Sequence, residues 1–393
     1  MSGIRDKVAI IGMGCTHFGE LWEKSQEDLV IDACTEAFDD AEIDPKEIDA
    51  CWLGTVDGGK LGSRLTRILK LQYVPVTRIE NLCATGTDAF RNACHAVASG
   101  TSEMALVCGV EKLKDTGYEG SLGGTLDAEF QSRCEVPVGP PAMFAVRATR
   151  YFEKYGLSPE KGKEILAKIA VKNHYNGARS PKAQFQKEIT IEQVMKAPLI
   201  AAPLGIFDCC GVTDGCAAAI ITTAEKADAM EKNYVLVKGI GMCNNAAQPV
   251  LDDDYGFIHF IENRVSSQRA YKEAGITNPR EEIDLAIVHD CFTITEMIIM
   301  EDLGFSKEGE AWKDYEAGFF SLSGGLPVNT DGGLKCFGHP LGATGLRMIY
   351  EVYNQLNSRC GERQLKDPNI GLTHNLAGNP DCYCVAVTIL GKP

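Results

Sequence analysis

Short apolar runs alternate with longer amphipathic stretches along the whole chain. In the first part, Val8–Met13, Ala50–Gly54, Thr77–Glu80, Met104–Gly109 and Cys216–Thr222 predict strands. In the second, Val235–Met242, Leu285–His289, Pro327–Asn329, Ile370–Asn375 and Tyr383–Leu390 do the same. Helix-period patterns separate them. Most of these runs stay apolar instead of alternating with polar residues, which is the mark of strands covered on both faces. The expected fold class is therefore α/β, with layered sheets.

The pattern also repeats. Residues 37–49 read AFDDAEIDPKEID and residues 270–284 read AYKEAGITNPREEID. Each closes an amphipathic helix, turns through a proline, adds an acidic cap and enters an apolar strand, Ala50-Cys51-Trp52-Leu53 or Leu285-Ala286-Ile287-Val288. Ala84-Thr85-Gly86 is echoed by Ala343-Thr344-Gly345, each opening an apolar helical run after a loop. Two copies of one unit are expected, the first over 1–115 plus 205–230 and the second over 231–393. Residues 116–204 interrupt the first copy with a Gly-rich stretch, Gly117 to Gly124, and then a basic helical segment. Between Arg150 and Lys196 stand ten Lys or Arg against five Asp or Glu. Such a surplus is either a solvated helix face or a landing site for an anionic ligand.

Composition narrows the classes. The chain has 393 residues, 45% of them hydrophobic, enough for two core units. A net charge of -15 disfavours nucleic acid and anionic membrane surfaces, which need clustered cations. No apolar run reaches the roughly 18 residues of a spanning helix. Residues 1–7 lead straight into a strand-like segment without a signal pattern, so a cytoplasmic location is expected. The 16 cysteines then read as buried small hydrophobes in a reducing compartment. Cys209-Cys210 and Cys382-x-Cys384 lack zinc spacing, and no metal is expected.

Four segments carry candidate chemistry. In Asn81-Leu82-Cys83-Ala84-Thr85-Gly86, a thiol stands between a strand and a helix start, where the helix dipole favours the thiolate. In Gly338-His339-Pro340-Leu341-Gly342, an imidazole sits in a turn, placed to act as base toward a thiol. His289-Asp290-Cys291-Phe292 ends a buried strand, where α/β sites collect. Thr373-His374-Asn375-Leu376-Ala377-Gly378 ends another and offers a backbone N–H to an oxyanion.

Together these segments resemble the thiolase superfamily over nearly the whole chain. The strongest match is the G-H-P-x-G-A-T-G string at 338–345, then the Cys83 loop. The H-D-C-F string at 289–292 resembles the sterol-carrier-protein-type and archaeal branch. Other thiolases carry a second catalytic cysteine in a C-terminal C-x-G motif, where this chain has Leu376-Ala377-Gly378; in the H-D-C-F branch the cysteine of that string takes its place. The resemblance implies duplicated βαβαβαββ units in an α-β-α-β-α arrangement with an inserted loop domain. It implies an acyltransferase that cleaves a 3-oxoacyl-CoA with coenzyme A as co-substrate. Cys83 would be nucleophile, His339 base and Cys291 second acid/base. His289 would help hold an oxyanion, and Gly378, Asn375 and His374 would be oxyanion or substrate contacts. It implies a homodimer or larger assembly, and in this branch a separate small zinc-ribbon/OB-fold partner subunit. Thr85, Asp88 and the stretch Tyr118–Gly124 differ from simple acetoacetyl-CoA enzymes. The sequence as a whole is similar to thiolases of anaerobic aromatic degradation, whose substrates are branched aromatic 3-oxoacyl-CoAs such as benzoylsuccinyl-CoA. An acetoacetyl-CoA enzyme, a ketosynthase-like condensing enzyme and a non-catalytic scaffold for CoA esters stay open as alternatives.

Overall fold

A computed structural model describes residues 3–59, 61–116, 139–246, 255–379 and 382–393. The stretch Tyr118–Gly124 lies outside the described residues. Nine strands are joined in the order β3-β2-β4-β7-β1-β8-β11-β10-β9. These are β1 (Val8–Cys15), β2 (Ala50–Gly54), β3 (Val76–Ile79), β4 (Met104–Lys112), β7 (Asp214–Thr223), β8 (Val235–Asn244), β9 (Leu285–Val288), β10 (Ile370–Ala377) and β11 (Cys384–Gly391). A small hairpin of β5 (Leu199–Ala201) and β6 (Leu204–Gly205) stands apart.

The order shows the duplication. From one end, β2 and β4 are parallel, and β4–β7 and β7–β1 are antiparallel. From the other, β9 and β10 are parallel, and β10–β11 and β11–β8 are antiparallel. The two sets meet where Ala9 and Ile10 pair with Leu236 and Val235. In the first set β3 continues outward from β2 in parallel. Its counterpart, the predicted strand Pro327–Asn329, is reduced to one parallel bridge between Ala286 and Val328. Pro327 has no N–H to extend a ladder, and Asn329 turns the chain away at φ 53°.

Five layers result. Helix Gln26–Ala41 packs outside β1, β7 and β4, and helix Ile261–Ala274 packs outside β8 and β11. The first starts with a capping box, in which Ser25 and Asp28 bond each other's backbone N–H. Helices Thr85–Ala98 and Leu341–Leu356 lie between the two halves of the sheet and touch each other. Glycine makes their approach possible: a Cβ on Gly342 would lie 2.6 Å from the Gly54 carbonyl oxygen and 2.7 Å from that of Val110. We expect Gly342→Ala to destabilise the protein by about 1–3 kcal/mol through overpacking. A thermal midpoint equal to that of the parent would refute this.

Helices Pro140–Lys154 and Pro159–Gly177 of the inserted stretch lie against helix Thr293–Asp302 of the second half. The basic surplus here is not an open anion site. Nine of its ten cations, Lys187 apart, pair with carboxylates. Lys154 meets Glu308 at 3.3 Å, Lys172 meets Glu296 at 2.8 Å and Lys182 meets Glu36 at 2.5 Å. The charge serves tertiary pairing, which removes the reason to place coenzyme A phosphates on it. No described helix is long and apolar enough to cross a membrane.

Candidate active site

Cys83 sits in a three-residue turn, Leu82–Ala84, directly before helix Thr85–Ala98. Leu82 is held at φ 47°, a left-handed conformation uncommon for a branched side chain. Its N–H donates to Glu80 Oε1 (2.7 Å). The Asn81 N–H donates to Thr85 Oγ1 (2.9 Å) and the Asn81 amide to Asp88 Oδ2 (2.6 Å). Thr85 and Asp88 are buried; Asp88 holds the loop through Oδ2 and accepts from Arg91 and Asn92 of its own helix through Oδ1. They shape the turn that carries Cys83, and neither lines the cavity next to it. The expected helix-lowered thiol pKa is overturned as well. Burial pushes Cys83 up to about 12, its own backbone N–H opposes this, and the buried Glu111 adds to it. Desolvation outweighs the helix end, so Cys83 rests as a neutral thiol.

His339 stands between helices Gly333–Phe337 and Leu341–Leu356, in a turn made by Gly338 at φ 115°. Its Nδ1 lies 2.8 Å from Thr344 Oγ1, whose hydroxyl donates to the Pro340 carbonyl at 2.9 Å. The hydroxyl proton is thus committed, so Thr344 accepts from Nδ1–H. Nε2 carries the lone pair, buried and without a hydrogen-bond partner among the described residues. Burial, then the neighbouring His289, holds this imidazole well below its ordinary pKa.

His289 follows β9. Its Nδ1 is 2.9 Å from Asn375 Oδ1, and the Asn375 amide N–H donates to Thr87 Oγ1 at 3.3 Å. Burial pushes His289 down to about 4. Asp290 accepts from the N–H groups of Leu334 (2.6 Å) and Lys335 (3.2 Å). It thereby ties the His289 loop to the short helix that delivers His339. Cys291 Sγ lies 3.7 Å from Thr295 Oγ1, and burial raises its pKa well above that of a free thiol.

These groups converge. The Cys83 sulfur and a nitrogen from each of His289 and His339 lie within 4.8 Å of one another. The two rings meet edge to face at 5.0 Å. All three line a cavity of about 150 Å³ with Cys291 and Gly378. Pro140, Met143, Phe144, Phe292 and Leu376 make its apolar wall, with Phe144 and Phe292 stacked at 4.6 Å.

Two expectations change. Asn375 does not line the cavity; it sits behind His289. His374, its neighbour on β10, faces the other way and binds Asn263 Oδ1 at 2.9 Å on the outer helix. It is a core residue, because successive side chains of a strand point to opposite faces. Sequence reasoning also passed over Cys210 and Cys382, which both line the cavity. Cys210 gets there because its N–H donates to the Cys291 carbonyl at 2.9 Å, a contact across 81 residues that no local pattern announces.

The buried imidazoles make the protein acid-sensitive. Unfolded, each binds a proton near its ordinary pKa of about 6.5. Folded, His289 waits until about 4 and His374 until about 3. Below about pH 6.5 the unfolded chain holds more protons, so stability falls as pH drops toward 4, on the order of 3 kcal/mol for each imidazole. Asp290 has the opposite sign. Burial and Glu296 push it up to about 7, so it adds stability as pH falls from there. It offsets roughly one imidazole. We expect the calorimetric midpoint to fall between pH 7 and pH 5, and less steeply in His374→Gln. A flat profile would contradict the assignment.

Comparison with known proteins agrees with this geometry. The family model described as Thiolase, N-terminal domain matches residues 8–225, and the one described as Thiolase C-terminal domain-like matches 254–392. An acetyl-CoA acetyltransferase of Methanocaldococcus jannaschii is 37% identical over 399 residues, covering 97% of this chain and 98% of the relative. Sterol carrier protein 2 of Bos taurus is 29% identical over 399 residues, covering 95% of this chain and 71% of that protein. Among solved structures, the Ltp2-ChsH2(DUF35) aldolase shares the fold with a TM-score of 0.83, over 99% of this chain and 98% of that one, at 24% identity. The chain belongs to the thiolase family of acyltransferases.

Proposed function

We propose that this protein cleaves a 3-oxoacyl-CoA with coenzyme A through an acyl-Cys83 thioester. One observation carries the reading: a thiol and two imidazoles lie within 4.8 Å of one another in an apolar cavity that also holds a second thiol.

His339 Nε2 takes the Cys83 proton as sulfur attacks the 3-keto carbon. At rest both groups are neutral, so the proton moves together with the attack. The new oxyanion on carbon 3 meets the N–H groups of Cys83 and Gly378, while the resulting imidazolium N–H faces the thioester oxygen of the substrate, where the enolate charge will develop. His289 adds a second donor once the Asn375 amide turns its NH2 toward Nδ1, a rotation that Thr87 Oγ1 allows because a hydroxyl can donate or accept. The bond between carbons 2 and 3 breaks, and Cys291 gives its proton to the departing enolate, which leaves as a shorter acyl-CoA. The Cys291 thiolate next takes the proton of incoming coenzyme A. The new thiolate attacks the thioester, whose oxyanion meets the N–H groups of Cys83 and Gly378. Cys83 recovers its proton from His339, and the cycle closes.

For the acyl group we propose an aromatic, branched 3-oxoacyl-CoA of the benzoylsuccinyl-CoA kind. The stacked Phe144 and Phe292, with Met143 and Leu376, suit a planar apolar group. The 37% identity to an acetyl-CoA acetyltransferase favours acetoacetyl-CoA as a second reading. A thiolysis screen over linear and aromatic 3-oxoacyl-CoAs separates them by kcat/KM. It should be run with and without a small zinc-ribbon/OB-fold subunit, which we propose as partner because the Ltp2-ChsH2(DUF35) aldolase is itself a complex. We also propose a dimer or larger assembly, since β3 leaves one sheet edge open. No cleavage of any 3-oxoacyl-CoA, but condensation with malonyl thioesters, would sink the thiolase mechanism in favour of a ketosynthase.

A further inference from the structure

The three reactive groups form a donor set as well as a reaction centre. Their ligand atoms, one sulfur and two nitrogens, lie within 4.8 Å of one another. Around a tetrahedral zinc ion, donors at about 2.3 Å (sulfur) and 2.0–2.1 Å (nitrogen) stand roughly 3.3–3.6 Å apart. A contraction of about 1 Å, within reach of small side-chain rotations, closes the set.

The groups behind the rings point the same way. Imidazoles that ligate metals are commonly held at the other ring nitrogen by a hydrogen bond that fixes tautomer and aim. Both rings have such a hold. Asn375 Oδ1 accepts from His289 Nδ1 at 2.9 Å, and Asn375 is itself held by Thr87. Thr344 Oγ1 accepts from His339 Nδ1 at 2.8 Å, its own proton being spent on Pro340. In this arrangement both Nε2 atoms present lone pairs, and that of His339 is buried with no hydrogen-bond partner among the described residues. The cavity leaves room for a fourth ligand.

We propose that Cys83, His289 and His339 bind a thiophilic divalent cation of the zinc class, and that this binding and acyl transfer exclude each other. The Cys83 thiol releases its proton to solvent and forms a sulfur–metal bond. The two Nε2 lone pairs fill two further positions, and water takes the fourth. No electrons are transferred. Nucleophile and base are both consumed, so a metal-loaded site cannot accept an acyl group. Magnesium and calcium, which prefer oxygen ligands, do not compete for a set with one sulfur and two nitrogens.

Cobalt(II) is the probe. Titrated into the intact protein, one equivalent is expected to give a near-ultraviolet thiolate-to-cobalt charge-transfer band and the strong visible bands of a tetrahedral site. One equivalent of zinc should abolish them, and magnesium should leave them intact. The charge-transfer band should vanish in Cys83→Ala and persist in Cys382→Ser, which removes the exposed thiol at the cavity wall. His339→Asn, with its nucleophile intact, should bind cobalt at least about tenfold more weakly, and bound zinc should protect Cys83 of the parent from alkylation by iodoacetamide. A charge-transfer band that survives Cys83→Ala, one that disappears in Cys382→Ser, or unhindered alkylation with zinc present would each overturn the site. None of these readouts depends on turnover, so the metal site stands or falls apart from the proposed reaction, on which only the mutual exclusion rests.

Discussion

Cys83→Ala is expected to lower thiolysis by at least about 10⁴-fold, the order of loss seen when a covalent nucleophile is removed. The fold should be unaffected, because the lost sulfur faces the cavity and its backbone turn is held by Glu80, Thr85 and Asp88. Mass spectrometry supplies the decisive readout. The parent, incubated with substrate without free coenzyme A, should gain the mass of one acyl group on the peptide containing Cys83, and the variant should gain none. An acyl adduct elsewhere, or full activity in the variant, would move the chemistry to another residue. Cys210 would then be the first to examine, since it lines the same cavity.

Replacing Cys291 with serine separates the two halves of the cycle. The hydroxyl preserves shape but is a much weaker acid than the thiol. A general acid/base contributes about 10²–10⁴-fold, and kcat should fall by that amount. Cys83 should still react with iodoacetamide at close to the parent rate, because His339 remains its base. A second signature is sharper. Exchange of the α-protons of a product acyl-CoA with deuterated solvent requires the second acid/base and should disappear. Retained exchange would mean that another group handles the enolate proton.

Much of the architecture was legible as periodicity. Strand positions, the two unit ends at 37–49 and 270–284, and the paired helix starts follow from local pattern, because a two-face-buried strand needs an apolar run wherever it lies. Cys83, His289, Cys291 and His339 were legible for a related reason: each stands at the end of an element, where side chains face a cleft. What failed depended on the far side of the molecule. The basic stretch looked open because its partners, among them Glu36, Glu296, Glu308 and Glu316, are distant in sequence. The thiol pKa was misjudged because a helix end is local and burial is not. His374 turns away from the site because Asn375 faces His289 and successive side chains of a strand point to opposite faces.

The meeting of the two middle helices reaches beyond packing. Leu82-Cys83-Ala84-Thr85-Gly86 in the first copy corresponds to Leu341-Gly342-Ala343-Thr344-Gly345 in the second, so Gly342 occupies the place of Cys83. Its Cβ position is taken by the carbonyls of Gly54 and Val110, and no thiol could stand there. Thr85 and Thr344 also correspond, yet one accepts from a backbone N–H and the other from the His339 imidazole. The centre is a division of labour between two once-equivalent halves, the first keeping the reactive atom and the second giving up its side chain to let the first approach. Neither half can then be an enzyme alone, and two polypeptides cut near residue 230 should acquire activity only on reassociation.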